Sequence, residues 1–426
     1  MLSRIPIAII IIIAVILVII LLAFLGIIPG LKPSRPPPVT LELWGIEDEE
    51  KVFEGIIRSF HQENLHISIN YSRFDADTFE NTLVNRMAEG RGPDIFMLRN
   101  SSIFKHRDKI FSLPQRSLKF TPRDFSKIFT DKTAEDLIDK KGEIIGLPLF
   151  TDTLALFYNK DIFNTAGIAE PPRNWEEVVE LSRKLTKIDP SGGDIIRSGI
   201  ALGSFDNVEH ALEIISALIL QRGDSIINSK TGGVELREGT KDAFSFYTSF
   251  ADQTKQNFSW SSRLANSFDA LAEEKSTMAF GFSGDIKKIL AKNPHLNLGV
   301  ISFPQLKNAR LPLSYAAYFF PTVSKFSKHR LESWQFILFA VSGDSAKEYL
   351  EKSNRPPARR DLLSQVPQNP LLEVFYKQSL IAQSWPIPDY EAVNRLFGEA
   401  VQTILTQRDI SKPVEKMESQ LKLLLP

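Results

Sequence analysis

Between residues 39 and 98 the spacing of apolar side chains switches back and forth between period two and the helical period of about 3.6. Val39, Leu41 and Leu43 alternate with Thr40 and Glu42 up to Trp44, the pattern of a half-buried strand. Val52, Ile56 and Phe60, flanked by Phe53 and Ile57, then form a helical stripe. The acidic run 47–50 sits where that helix should begin, matching the positive end of its dipole. Ile67, Ile69 and Tyr71 restore period two, and Phe79, Leu83, Val84 and Met87 return to a helix. A turn at 90–94 delivers the wholly apolar run 95–98, the signature of a strand covered on both faces. Strand, helix, strand, helix, buried strand predicts a parallel α/β sheet with right-handed crossovers.

At 426 residues the chain exceeds what one ordinary core organises, so two or more domains are expected. The later chain repeats the α/β grammar less cleanly. Residues 147–158 are strand-rich, 175–185 form an amphipathic helix that Asn174 caps with Glu177 three residues on, and 208–220 form an apolar helix ending near Gly223. Helices are also expected over 330–341, 389–407 and 411–424.

Composition removes whole classes of function. The 51 basic and 51 acidic residues balance, which gives no reason to expect a nucleic-acid partner. No cysteine is present, so disulfides, thiolate nucleophiles, iron–sulfur clusters and cysteine-zinc sites are excluded. His61 and His66 do not share a helix face, and no H-E-x-x-H occurs. The segment from Gly281 to Gly284 lacks the spacing of a nucleophile elbow. Asp75, Asp77 and Glu80 lack the central glycine of a calcium loop. The chain is therefore expected not to be an enzyme and to need no cofactor or metal.

Two N-terminal segments address location. Residues 5–28 carry no charge, and as a helix they would extend about 36 Å, enough to span a bilayer. That length exceeds a signal-peptide core and predicts an uncleaved, single-pass anchor. Residues 29–38 hold five prolines, predicting about 30 Å of semi-rigid polyproline spacer. Arg4 on one flank opposes Lys32 and Arg35 on the other, so charge alone does not orient the helix.

From residue 147 onward the chain resembles family 1 extracellular solute-binding proteins, the maltose-binding type that serves ABC importers. The resemblance rests on Tyr158-Asn159-Lys160-Asp161, Gly167-Ile168, Pro171-Pro172 and Trp175-Glu176-Glu177. It is joined, in order, by the segment after the first strand, Gly92-Pro93-Asp94, the stretch from Ser276 to Gly281, the run starting at Trp334 and Asn354-Arg355-Pro356-Pro357. It covers about residues 39–420 and implies an α/β, two-lobed periplasmic-binding-protein-like fold with hinge crossings. Lobe 1 would combine 39–148 with 304–326, and lobe 2 would combine 149–303 with 327–426. The implied function is capture of a small solute, a sugar or oligosaccharide, between the lobes and delivery to an ABC permease. The bulk of the chain would lie outside the cytoplasm. The family often places a sugar-stacking tryptophan where this chain reads Phe282-Ser283-Gly284, so that platform is absent.

Candidate ligand contacts follow from strand ends and from the resemblance. Trp44, Glu47 and Asp48 form a loop at a strand's carboxyl end, offering a ring and hydroxyl-accepting carboxylates. Arg99 and Asn100 follow the third strand at the same edge. The resemblance adds Thr151 and Asp152 at the hinge, Phe205 and Asp206 in a cleft-facing loop, and Phe282 and Ser283. Tyr315, with Tyr318 nearby, follows the return crossing, and Trp385 and Trp260 are further rings able to stack. Arg355 matches a family loop in which an ion pair is an equal expectation. Three other readings stay open: a ferric or oxyanion receptor of the same fold using Tyr315 and Tyr318, a membrane-anchored glycoside-acting enzyme, and a surface interaction protein.

Overall fold

The computed structural model describes residues 7–24, 36–191, 193–227, 232–307, 309 and 311–425. The predicted alternation appears as a five-stranded sheet in the order Ile67–Phe74, Val39–Ile46, Ile95–Arg99, Phe319–Ser324, Ile110–Phe111. The first three strands are parallel, and Phe319–Ser324 runs antiparallel beside Ile95–Arg99. Helix Glu50–Glu63 packs Val52, Phe53, Ile56 and Phe60 inward, the stripe read from the sequence.

A second core is built on Leu298–Ser302, Ala155–Asn159 and Met278–Gly281. These strands pair antiparallel, so the parallel grammar of the first half does not extend to this sheet. Helix Ala211–Gln221 lies in this core with nine buried residues. Between the two cores, Asp152–Thr153 pairs antiparallel with Ser314–Ala317, which pairs in parallel with Ala382–Gln383. The chain crosses between the two cores at Asp152–Thr153, at Ser314–Ala317 and between Leu362 and Leu372.

The segment after residue 326 divides differently from the expectation that it belongs wholly to lobe 2. Trp334, Phe336, Ile337, Tyr349, Leu350 and Leu362 join the first core, and the second core resumes at Leu372. The cause is aromatic packing on helix Glu50–Glu63: Phe60 meets Phe336 edge-on at 5.3 Å, and Phe53 meets Tyr349 at 5.6 Å.

At the N-terminus, Ile7–Phe24 is a helix of 18 apolar residues whose side chains from Ile11 to Leu21 are exposed. Its rise is about 27 Å, just under a bilayer's hydrocarbon core of about 30 Å. Among the described residues, no helix is long and apolar enough to cross a membrane. The remainder of the expected 5–28 anchor and residues 29–35 of the expected proline spacer lie outside the described residues.

Candidate functional site

A cleft of about 610 Å³ opens between the lobes, lined from both sides. Its first-lobe wall comes from the carboxyl ends of the parallel strands, where α/β sheets place ligand loops. Glu47, directly after Val39–Ile46, has a φ of 64°, a left-handed conformation unusual for a side-chain-bearing residue. That turn aims Glu47 at Arg355, whose Nη2 lies 2.9 Å from its carboxylate. Nη1 of Arg355 reaches Asp152 at 3.4 Å, and Asp152 accepts from the Ser283 hydroxyl at 2.6 Å and the Ser283 amide at 3.1 Å. Ser283 belongs to the second lobe, so this cluster joins the lobes at the hinge. Burial raises Asp152 above the ordinary carboxylate pKa despite the arginine.

Arg99 ends strand Ile95–Arg99 and crosses the cleft to Glu213 at 2.9 Å. Tyr390 donates its hydroxyl to the same Glu213 oxygen at 2.9 Å, and the guanidinium lies 4.4 Å above the Tyr390 ring. Burial opposes the charge on Arg99, but Tyr390 and Glu213 outweigh it and raise its pKa above the ordinary arginine value. On the second-lobe wall, His210 Nε2 meets Asp285 at 2.7 Å, and its ring packs edge-on against Phe282 at 4.8 Å. Lys288 pairs with Asp285 at 3.1 Å.

Of the residues selected from the sequence, Glu47, Arg99, Asp152, Phe205, Asp206, Phe282, Tyr318 and Arg355 line this cleft. The others have structural partners instead. Trp44 is packed 4.5 Å from Phe74, and Asp48 is half-buried, accepting the Tyr349 hydroxyl at 2.7 Å. Asn100 bonds the Ala316 carbonyl and the Tyr318 amide in the hinge, where the Thr151 amide donates to Pro356. Ser283 is committed to Asp152, and Tyr315 is buried beside Gln383 in the hinge sheet. Trp385 donates to Ser216 at 3.0 Å, and Trp260 donates to Asn207 from a fully buried position. Neither indole faces the cleft, because each sits in the second core.

A sequence model of the family described as bacterial extracellular solute-binding protein matches residues 55–374. The chain belongs to this family. A galactooligosaccharide-binding protein of Bacillus subtilis is 22% identical over 348 residues, covering 78% of each chain. The melibiose/raffinose/stachyose-binding protein MelE of the same organism is 23% identical over 331 residues, covering 73% of this chain and 71% of its own. Among solved structures, the cyclic alpha-maltosyl-1,6-maltose binding protein of Arthrobacter globiformis superposes with a TM-score of 0.76 at 17% identity. That likeness covers 91% of this chain and 99% of the other. The sugar-binding protein MalE of Xanthomonas citri gives 0.75 at 17% identity, covering 91% and 97%. The two-lobed fold follows from these likenesses.

In this solute-binding protein, sequence reasoning missed Glu213, His210, Asp285 and Tyr390. One signal was available: Glu213 is the lone charge in the apolar helix Ala211–Gln221, and a charge there needs a partner. Among the described residues, no cluster of three or more His, Asp or Glu is arranged to hold a metal. Tyr318 donates to Asp136 at 2.9 Å, and burial pushes Tyr318 and Tyr315 well above the ordinary phenol value. The matched relatives are named as binding proteins rather than enzymes.

Proposed function

We propose that this chain is a membrane-tethered extracytoplasmic receptor that captures a sugar or oligosaccharide between its lobes and presents it to an ABC permease. The observation that carries the reading is the cleft itself, bounded by two cores that the chain, among the described residues, joins at three passages. Its volume of about 610 Å³ falls within the roughly 300–1,000 Å³ of small-molecule sites. Carboxylates at its rim accept sugar hydroxyls, and Phe205, Phe282 and Phe319 offer flat apolar faces to a sugar ring. The names of the relatives, which bind galactooligosaccharide or melibiose, raffinose and stachyose, point the same way. The apolar helix Ile7–Phe24 and the lack of any charge in the sequence from residue 5 to 28 support the tether.

Isothermal titration of the purified chain against mono- and oligosaccharides tests the capture step. A dissociation constant near the micromolar range, about −8 kcal/mol, is expected for at least one of them. Phe205→Ala should weaken that ligand about tenfold while leaving the fold intact, since Phe205 is half-exposed. A panel that produces no heat with any saccharide sinks the reading. The tether is tested separately: the full chain should resist alkaline extraction from membranes, and a chain lacking residues 5–28 should not.

A further inference from the structure

The cleft carries more negative charge than its own cations offset. Eight of its lining side chains are carboxylates, against three lysines or arginines and one histidine. All four bases are committed: Arg99 to Glu213, Arg355 to Glu47 and Asp152, and Lys288 with His210 to Asp285. Glu80 is met by Lys105 and His106. Asp206, Glu209 and Glu391 remain, with no basic side chain within 4.0 Å among the described residues. Glu209 accepts a hydrogen bond from the neutral Asn266 amide, and the cations His210 and Lys288 act on it only at longer range.

These three carboxylates form one wall. Asp206 and Glu209 lie on the loop entering helix Ala211–Gln221, and Glu391 lies in the first turn of helix Tyr390–Gln407. Glu391, Asn394 and Gly398 share a face of that helix by their spacing. A Cβ placed on Gly398 would sit 3.0 Å from the Phe205 ring, so the loop and the helix are in direct contact. From the first lobe a separate observation points into the same space. Ser102 lines the cleft, is only 9% exposed, and its hydroxyl has no hydrogen-bond partner among the described residues. Its oxygen is not sealed off in the lobe and is free to bond a group in the cleft. The rings of Phe79, Phe205, Phe282 and Phe319 add negative π-faces to the lining.

Closing the lobes on a neutral solute would strip water from three carboxylates and return no opposite charge. An acidic solute would add repulsion. A protonated amine instead forms charge-assisted hydrogen bonds to these oxygens and is attracted to the aromatic faces. Building on the reading of the cleft as a saccharide site, we propose that its preferred ligand is a saccharide bearing a protonated amino group. The amine is held at the Asp206–Glu209–Glu391 wall, and a ring hydroxyl engages Ser102.

Calorimetry on the full chain with matched disaccharides decides the matter: the glucosamine dimer, its N-acetylated counterpart, and cellobiose, at a pH where the amine is protonated. The amino form should bind about tenfold tighter than the acetylated one, the step one net charge-assisted bond supplies. That advantage should shrink as salt is raised. The double variant Asp206→Asn, Glu391→Gln should abolish the advantage, so that the amino and acetylated forms bind alike. Equal or weaker binding of the amino form overturns the inference and leaves the saccharide reading standing. Binding of none of the three, while the chain gives a cooperative melting transition, counts against that reading and the inference together.

Discussion

His210 and Asp285 show how single side chains set the cleft's second-lobe wall. Burial opposes charge on His210, but the carboxylate 2.7 Å away outweighs it, aided by Glu213 and Glu209, and the imidazole titrates above its ordinary 6.5. Burial likewise works against Asp285, but His210 and Lys288 hold it well below the usual carboxylate range. A histidine raised by folding stabilises fully below its unfolded pKa and loses that contribution as pH rises through the folded value. The depressed carboxylate stabilises above its ordinary 3.8 and loses that contribution as pH falls. Urea denaturation should therefore show stability declining as pH climbs above 6.5, a decline that His210→Gln flattens. Asp285→Ala should cost about 3–5 kcal/mol at mildly acidic pH, because it removes the one carboxylate in direct contact with the mostly buried imidazolium. It should also loosen the Phe282 amide, which donates to Asp285 at 2.9 Å. None of this was legible in the sequence, since the two side chains are 75 positions apart and only the fold makes them neighbours. Asp152 shows the same gap in reverse. Resemblance placed it in the cleft, where it lies, but did not reveal that Ser283 and Arg355 already occupy its oxygens.

Local elements were far more legible, because period and capping act within a few residues. Helix Trp175–Leu185 has the bounds its stripe predicted, and Asn174 accepts from the Glu177 amide at 2.9 Å as the cap motif requires. Helices Arg330–Ala340 and Tyr390–Gln407 fall within a residue of their expected limits. Strand direction in the second sheet was not legible, because a strand covered on both faces carries no mark of its partner's orientation. The hinge was invisible for another reason. Asp152–Thr153 and Ala382–Gln383 have two residues each, too few for any period to register. What positions these short pieces is Gln378, only 2% exposed at the end of helix Glu373–Gln378. Its oxygen accepts from the Phe303 amide at 2.8 Å, and its nitrogen donates to the Leu154 carbonyl at 3.1 Å. Gln378→Leu leaves the Phe303 amide buried and unmatched, while the Leu154 carbonyl keeps the Ser314 hydroxyl, for a loss of about 1–3 kcal/mol in chemical denaturation. Gln378→Glu retains the acceptor and should lose less only at low pH, where a protonated acid can still donate.

At the scale of the molecule, the lobes are held by ion pairs of two kinds. Lys287–Glu49 at 3.2 Å and Lys105–Asp389 at 3.0 Å cross near the surface. Arg99–Glu213 and the Arg355 cluster cross where water is largely excluded. Exposed pairs contribute about 0–1 kcal/mol and fade with salt, whereas a buried pair resists screening and is costly to break singly. The hinge balance of the unliganded protein should then depend on Arg99 rather than on ionic strength. Small-angle scattering without added saccharide should give a radius of gyration that stays constant as salt approaches about 1 M, where the Debye length is about 3 Å. Arg99→Ala should enlarge that radius, because Glu213, 3% exposed, gains water once the lobes part. A bound saccharide, by contacts made only in the closed arrangement, should draw the variant back toward the wild-type radius. If wild type expands with salt and Arg99→Ala scatters identically to it, the surface pairs hold the lobes and the buried pair merely fills the floor.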